Sequence, residues 1–382
     1  MLFRTELYKI CSRKIIYVGF LLCFLFLAFY FQVSVLGNEY VYEDGRCLRR
    51  TEAIEKNREI ARSYAGPLTR EKAREIVAAY GWAANHDDIT LDEKTGNTDP
   101  GYYENSTSRF VTDKLSNKRV QGEVPDSLAS EDDPFASNLM GGNYQYGYIG
   151  AWDSSFTEIQ MMLYLMLSIL VIIGCSSSFS EEYSGKTAAI LLTSKNGKGK
   201  TAAAKIAAAF AYTGGLYLIS IILMGGAFLY FYGTEGWSVS AQLVFTSLLT
   251  SDIISGTVSH ITVGSVLTLY VFLGLVSLLL TAAITLCLSS RKKTSFSALI
   301  WSLAVFLLPL VMQQIILSML RPGRIVTLLR LVFSSMPFYL PIFGLEYLPY
   351  GYRLFSYIFP GSLLILCCIQ CNRSYCRYQI GK

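Results

Sequence analysis

Charge is scarce in this chain. Charged residues make up 16% of 382, where a soluble domain carries about a quarter. Hydrophobic residues make up 52% and gather in long runs that contain no ionisable side chain at depth. This excludes an ordinary soluble domain and indicates a polytopic membrane protein. It also argues against a proton-coupled pump or voltage sensor, whose spans need buried carboxylates or arginines. Histidine is scarcer still: His86 and His260 are the two present, and both fall outside the apolar runs. An intramembrane hydrolase needs a histidine or second acid at membrane depth to activate water, so the adjacent pair Glu181-Glu182 does not make one. No catalytic residue and no metal ligand set is assigned. Of nine cysteines, Cys47 alone lies in the large polar segment, so no disulfide framework forms there. The cluster Cys367, Cys368, Cys371, Cys376 lacks a second ligand pair at zinc-like spacing and reads as lipid-facing or packing residues.

Six apolar runs are long enough to cross a bilayer core of roughly 30 Å. They are Ile15–Leu36, Ile159–Cys175, Ile206–Tyr230, Val263–Leu288, Ala298–Leu320 and Leu354–Cys371. Residues 1–14 place Leu2, Leu7, Ile10 and Cys11 at near-helical spacing among Arg4, Lys9, Arg13 and Lys14, which suits an interfacial amphipathic helix. Between the first two runs lies Asn38–Phe156, with 21 acidic and 14 basic residues. Its start is helical in pattern. Gly66-Pro67 breaks it, Thr69 is a candidate cap, Ala73, Ile76, Val77 and Tyr80 form a stripe, and Gly81 ends it. The remainder is rich in Asn, Asp, Ser, Gly and Tyr, which suits loops and short strands. Asn105-Ser106-Thr107 matches a glycosylation sequon, a common chance match. Tyr144, Tyr146, Tyr148 and Trp152 are expected to seat this segment on the membrane surface. The fold class expected is therefore mostly α: a six-helix transmembrane bundle with an α+β-like extracytoplasmic insert between the first two spans.

Six spans put both termini on one side. The short segments on that side (residues 1–14, Ser176–Lys205, Ser289–Thr294 and the tail 372–382) are rich in Lys and Arg, whereas Phe231–Thr262 has none. The positive-inside bias places the termini in the cytoplasm. The loop Arg321–Arg353, with Arg321, Arg324, Arg330 and Arg353, runs against that bias and is expected to be extracytoplasmic or interfacial. Basic residues cluster at the ends of apolar runs rather than along one soluble face, which argues against nucleic-acid binding.

Ser176–Lys205 holds the remaining chemistry. Gly185-Lys186-Thr187 and Gly199-Lys200-Thr201 echo the end of a P-loop, but Ser180 and Ser194 stand where its first glycine belongs. ATP binding by this chain is not expected. Phe179, Tyr183 and Ile190, with Thr187 between, share one helical face, and Glu181, Glu182 and Lys186 lie off it. A short amphipathic helix over Phe179–Leu192 is predicted, parallel to the membrane with its charged side offered to the cytosol.

The segment FSEEYSGKTAAILLTSKNGKGKTAAAKIAA resembles the connection between the second and third spans of type-2 ATP-binding-cassette (ABC-2) permeases. The matching features are Glu181 or Glu182, Gly185, Leu191-Leu192, the polar break Ser194–Gly199, and Lys205 opening the next span. Residues 1–14 resemble that family's elbow helix. The resemblance implies a permease subunit, without nucleotide-binding motifs of its own, that exports substrate across a bacterial cell membrane. It implies a cytoplasmic ATPase partner that holds ATP and Mg, and a homodimer or heterodimer with a second permease in the bilayer. Phe179, Glu181, Glu182, Tyr183, Gly185, Ile190, Leu191 and Leu192 would form the ATPase-coupling site. Spans without deep charge suit an amphipathic, lipidic or peptide cargo. The alternative is a non-transporting membrane sensor or assembly protein that binds a partner through the insert.

Overall fold

The computed structural model describes residues 2–43, 46–82, 105–117, 125–187, 193, 199–316, 319–321, 323–343 and 353–377. The chain is mostly helical. Among the described residues, five helical stretches are long and apolar enough to cross a membrane: Lys14–Asn38, Ser155–Ser184, Gly199–Tyr232, Val263–Ser289 and Ser295–Ile315. The third begins seven residues before the expected span, which brings Lys205 inside the helix. The expected sixth span coincides with a helix of 24 residues, Arg353–Cys376, which is not among those five.

Two compact units divide the chain, with boundaries inside four of these helices. The first comprises Met1–Leu27, Ile159–Met224 and Leu269–Lys382. It begins with α1 (Leu2–Cys11) and most of α2 (Lys14–Tyr30). Helix α2 buries Ile16 and Leu27 and exposes Ile15, Val18, Leu21, Leu22 and Leu25, an apolar surface suited to lipid. The central helix is α7 (Ser154–Ser176), whose Leu163, Leu167, Val171 and Cys175 are fully or nearly fully buried at i, i+4, i+8 and i+12. The long helix Gly199–Tyr232 and the helix Val263–Ser289 pack in the same core. Tyrosines and glycines set the close approach. Tyr212 donates to the Leu170 carbonyl (3.0 Å) and Tyr217 to the Val271 carbonyl (2.7 Å). A Cβ on Gly174 would stand 2.7 Å from the Tyr212 ring, and one on Gly274 2.5 Å from the Tyr217 hydroxyl. Small residues at such crossings are how helices associate where lipid removes the hydrophobic drive.

The second unit comprises Ala28–Glu158 and Gly225–Thr268. Two short antiparallel pairs occur in it: β1 (Tyr40–Glu43) with β2 (Arg46–Arg49), and β3 (Gly66–Thr69) with β4 (Gly141–Tyr146). Helix α3 (Thr51–Ser63) buries Ala53, Ile54, Asn57, Ile60 and Ala61, one helical face. Thr69 caps α4 (Arg70–Tyr80) by accepting from the Lys72 amide (3.2 Å), and Gly81 ends it at φ +70°, as the sequence indicates. Asn105 caps α5 (Ser106–Leu115), accepting from the Thr107 and Ser108 amides, and is 1% exposed; α6 (Pro134–Leu139) follows. The sequon there is folded into a helix cap. Residues Phe231–Thr262 are more than a loop. They hold a helix, Thr246–Ser255, whose buried Asp252 accepts from Tyr144, Gln242 and Ser259.

Tyr144, Tyr146, Tyr148 and Trp152 are 1–5% exposed, so they form the core of this unit and do not lie on a membrane surface. Trp152 stacks among Phe156, Phe228 and Trp237, with ring centroids 5.2–5.5 Å apart, and donates its indole N–H to the Gly233 carbonyl (2.9 Å).

Candidate functional site

The ion pairs described in the first unit gather around residues 176–187. Helix α7 ends at Ser176, and the chain turns into a five-residue helix, α8 (Ser180–Ser184). Ser289 builds that turn. Its hydroxyl accepts from the amides of Phe179 (3.1 Å) and Ser180 (3.2 Å) and donates to the Ser176 carbonyl (2.7 Å). Two of the amides that a helix start leaves unpaired are thereby satisfied from another helix.

Helix α8 stops because the backbone closes on itself. The Thr187 amide donates to the Glu182 carbonyl and the Lys186 amide to the Tyr183 carbonyl, with Lys186 at φ +55°. These are the two bonds of a Schellman turn, here with lysine where glycine is usual. The predicted helix Phe179–Leu192 therefore ends at Ser184. Ile190, Leu191 and Leu192 lie outside the described residues.

Burial separates the coupling candidates. Phe179 is fully buried and its ring lies 5.0 Å from that of Tyr375. Tyr183 is buried and donates to the Ser290 carbonyl (3.1 Å). Glu181 is on the surface, with 69% of its side chain exposed, paired with Arg13 at 2.9 Å. Gly185 and Lys186 are exposed beside it. Glu182 departs from expectation. It is 7% exposed rather than offered to solvent, and it accepts from the Tyr375 hydroxyl at 3.0 Å.

The partner of Glu182 is Lys205. Its Nζ lies 2.7 Å from Glu182 Oε1, an ion pair by distance rather than an aligned hydrogen bond. The same Nζ donates to Glu6 Oε2 (2.8 Å) and to the Ser178 carbonyl (2.7 Å), and sits 5.5 Å from the Phe179 ring centroid. With its side chain 1% exposed, Lys205 is a buried cation between two carboxylates. Burial alone would raise the Glu6 carboxyl, but Lys205 and then Lys9 more than offset this and hold it below its ordinary value. The cluster joins α1, the 176–187 turn, the start of the Gly199–Tyr232 helix and the end of the Arg353–Cys376 helix.

The sequence reading missed Glu6 and Tyr375 and treated Lys205 as a marker of topology. A signal for Glu6 was present: it is the one acid among four bases in residues 1–14. Gly199-Lys200-Thr201 forms the first turn of the long helix. Among the described residues no group of three His, Cys, Asp or Glu is spaced to hold a metal ion.

The sequence pattern of the family described as ABC-2 family transporter protein matches residues 71–370, well over half the chain. The chain belongs to the ABC-2 family. It is an ABC transporter permease and a multi-pass membrane protein, and the family is normally a non-enzymatic membrane subunit that works with an ABC ATPase. No curated protein and no solved structure matched it. In this ABC-2 permease the matched stretch contains the 176–187 turn and Lys205, while α1 and Glu6 precede it.

Proposed function

We propose that this permease is one half of an ATP-driven exporter, in which the exposed edge of residues 181–187 receives the movement of a separate cytoplasmic ATPase. The observation that carries the reading is the buried cluster of Glu182, Lys205, Glu6 and Tyr375 directly beneath that edge. A solvated loop would absorb a push. A turn whose Glu182 is locked to three other elements passes it on, because packed interiors shift as units rather than deform.

In this reading Glu181, Gly185 and Lys186 contact the ATPase, and Ile190, Leu191 and Leu192 extend the same contact. Phe179, Tyr183 and Glu182 hold the turn from within. The termini are cytoplasmic by the positive-inside bias, and residues 38–156 are extracytoplasmic. The Arg353–Cys376 helix is the sixth span. At 1.5 Å per residue its 24 residues are long enough, with Arg373 near its cytoplasmic end. Two such permeases, identical or paralogous, would enclose the path, and ATP with Mg would be held by the ATPase. Export is the direction that the family resemblance implies.

The test is co-purification with the ATPase in mild detergent, followed by ATPase stimulation in proteoliposomes. Glu181→Lys reverses the exposed charge without touching the buried cluster. The expected result is loss of ATPase retention and of stimulated hydrolysis, with an unchanged melting midpoint. Retention and stimulation equal to the unsubstituted permease would show that this edge is not the contact.

A further inference from the structure

The second unit holds a cavity of about 560 Å³ that the coupling mechanism does not use. That is the size of a small-molecule site, for which about 300–1,000 Å³ is usual. Its wall draws on the end of α2, on α5, on the stretch after β4 and on the start of α7, and includes Tyr30, Glu39, Arg109, Tyr148, Asp153 and Glu158.

The wall is short of positive charge. Among the described lining residues, four carboxyls (Glu39, Asp113, Asp153, Glu158) outnumber two cations (Arg109, Lys114). Arg109 and Asp113 pair with each other at 3.4 Å along α5. Glu158 and Glu39 accept from neutral donors, the hydroxyls of Tyr30 and Tyr232, each at 3.1 Å. Burial, first, pushes the Glu39 carboxyl up to about 7; the Tyr232 hydrogen bond opposes this and the neighbouring Asp153 adds to it.

A second feature is independent of charge. Tyr148 lines the cavity, is 4% exposed and has the Arg58 guanidinium 5.6 Å from its ring centroid, while its buried hydroxyl has no hydrogen-bond partner among the described residues. A buried hydroxyl left without a partner is destabilising, and a bound polar group would relieve that cost. The backbone makes room for this ring. Gly150, at φ +57°, lies so close that a Cβ would stand 2.8 Å from the Tyr232 ring and 3.0 Å from the Tyr148 ring. The rings of Tyr30, Phe110 and Tyr146 complete an aromatic wall.

We propose that this cavity binds an organic ammonium group, held between the carboxyls of Glu39, Asp153 and Glu158 and the tyrosine rings, with the Tyr148 hydroxyl bonding its polar substituent. Carboxyls neutralise the cation and aromatic faces attract it. The described carboxyls are not grouped to ligate a metal ion. The ammonium comes from a free amine or from a lipid headgroup, since the wall includes Tyr30 and Ser34 of one spanning helix and Ser155 and Glu158 of another.

The test uses the full chain in nanodiscs of phosphatidylglycerol, titrated with choline and with ethanolamine by calorimetry. A parallel arm compares melting in nanodiscs that contain phosphatidylethanolamine. Saturable binding of a free amine indicates a soluble ligand. Stabilisation by phosphatidylethanolamine, with ethanolamine then failing to bind further, indicates a headgroup. Either supports the site, provided Glu39→Gln and Tyr148→Phe each weaken binding by about tenfold or more. Tyr148→Phe removes only the orphaned hydroxyl, so its folding is not at risk. Glu131→Gln, at the exposed partner of Arg70, leaves binding unchanged. Absence of binding in both arms, or full affinity in either cavity variant, would overturn the site. Neither outcome depends on an ATPase.

Discussion

Lys205 Nζ stands between two carboxylates, 2.7 Å from Glu182 and 2.8 Å from Glu6, with its side chain 1% exposed. Two acids on one buried lysine are tolerable because the Tyr375 hydroxyl and Lys9 take up further oxygens. Removing the cation leaves both acids buried without their counter-ion. Lys205→Met is therefore expected to destabilise the permease by about 3–5 kcal/mol, the usual cost of breaking a buried pair. Thermal melting of the detergent-solubilised protein measures this. Adding Glu6→Gln and Glu182→Gln to Lys205→Met should restore part of the loss, and a triple variant no better than the single would show that charge is not the cause. Acid acts on the same cluster. The Glu6 carboxyl is depressed when folded, so its contribution is present above the ordinary value of 4.5 and is lost as pH falls through the folded value.

Glu181 and Glu182 are neighbours with different tasks. The Glu181–Arg13 pair is on the surface, and such pairs contribute about 0–1 kcal/mol. Glu181→Gln should leave the melting midpoint almost unchanged, whereas Glu182→Gln should lower it clearly. In the ATPase-retention assay the order reverses at matched folded fraction: Glu181→Gln weakens retention directly. Equal midpoints for the two variants would contradict the burial of Glu182.

Part of this was legible beforehand. Spans are readable because lipid demands long apolar runs, and Thr69 and Gly81 because caps are local chemistry. The reach of α8 was not. Phe179, Tyr183 and Ile190 keep helical spacing, but the turn at Glu182–Thr187 is made by backbone bonds that leave no mark in the pattern of apolar residues. Nor was the Lys205 cluster, whose members lie 199 and 23 residues apart from it in sequence, at Glu6 and Glu182. Pairing over such separations is decided by tertiary packing. Tyr144 to Trp152 misled for a related reason: an amphipathic aromatic suits a membrane surface and a hydrogen-bonded core equally well.

Ser289 offers a test of how the turn is held. Its hydroxyl serves the Phe179 and Ser180 amides and the Ser176 carbonyl at once. Ser289→Ala leaves those buried amides unserved, at about 1–3 kcal/mol. Ser289→Thr keeps the hydroxyl and should recover most of the midpoint. Hydrogen exchange at Phe179 and Ser180 should quicken in the alanine variant, and exchange at unchanged rates would mean that Ser289 is not the cap.

Glu39 gives the second unit a pH dependence of opposite sign to that of Glu6. Its carboxyl is raised from 4.5 to about 7 by burial, against the Tyr232 hydrogen bond and with Asp153 adding to the rise. The folded state thus keeps a proton that the unfolded chain releases from about 4.5 upward. Stability is greatest below that value and declines as pH rises towards about 7, beyond which the loss is complete. Glu39→Gln keeps the neutral shape and cannot ionise. The difference between the melting midpoints of the two proteins should therefore be small at the acid end of the window and grow in favour of the glutamine variant as pH rises. Contributions from Glu6 and other acids cancel in that difference. A difference that stays flat across the window would mean that Glu39 is ionised throughout, in a cavity wetter and less acidic than its wall indicates.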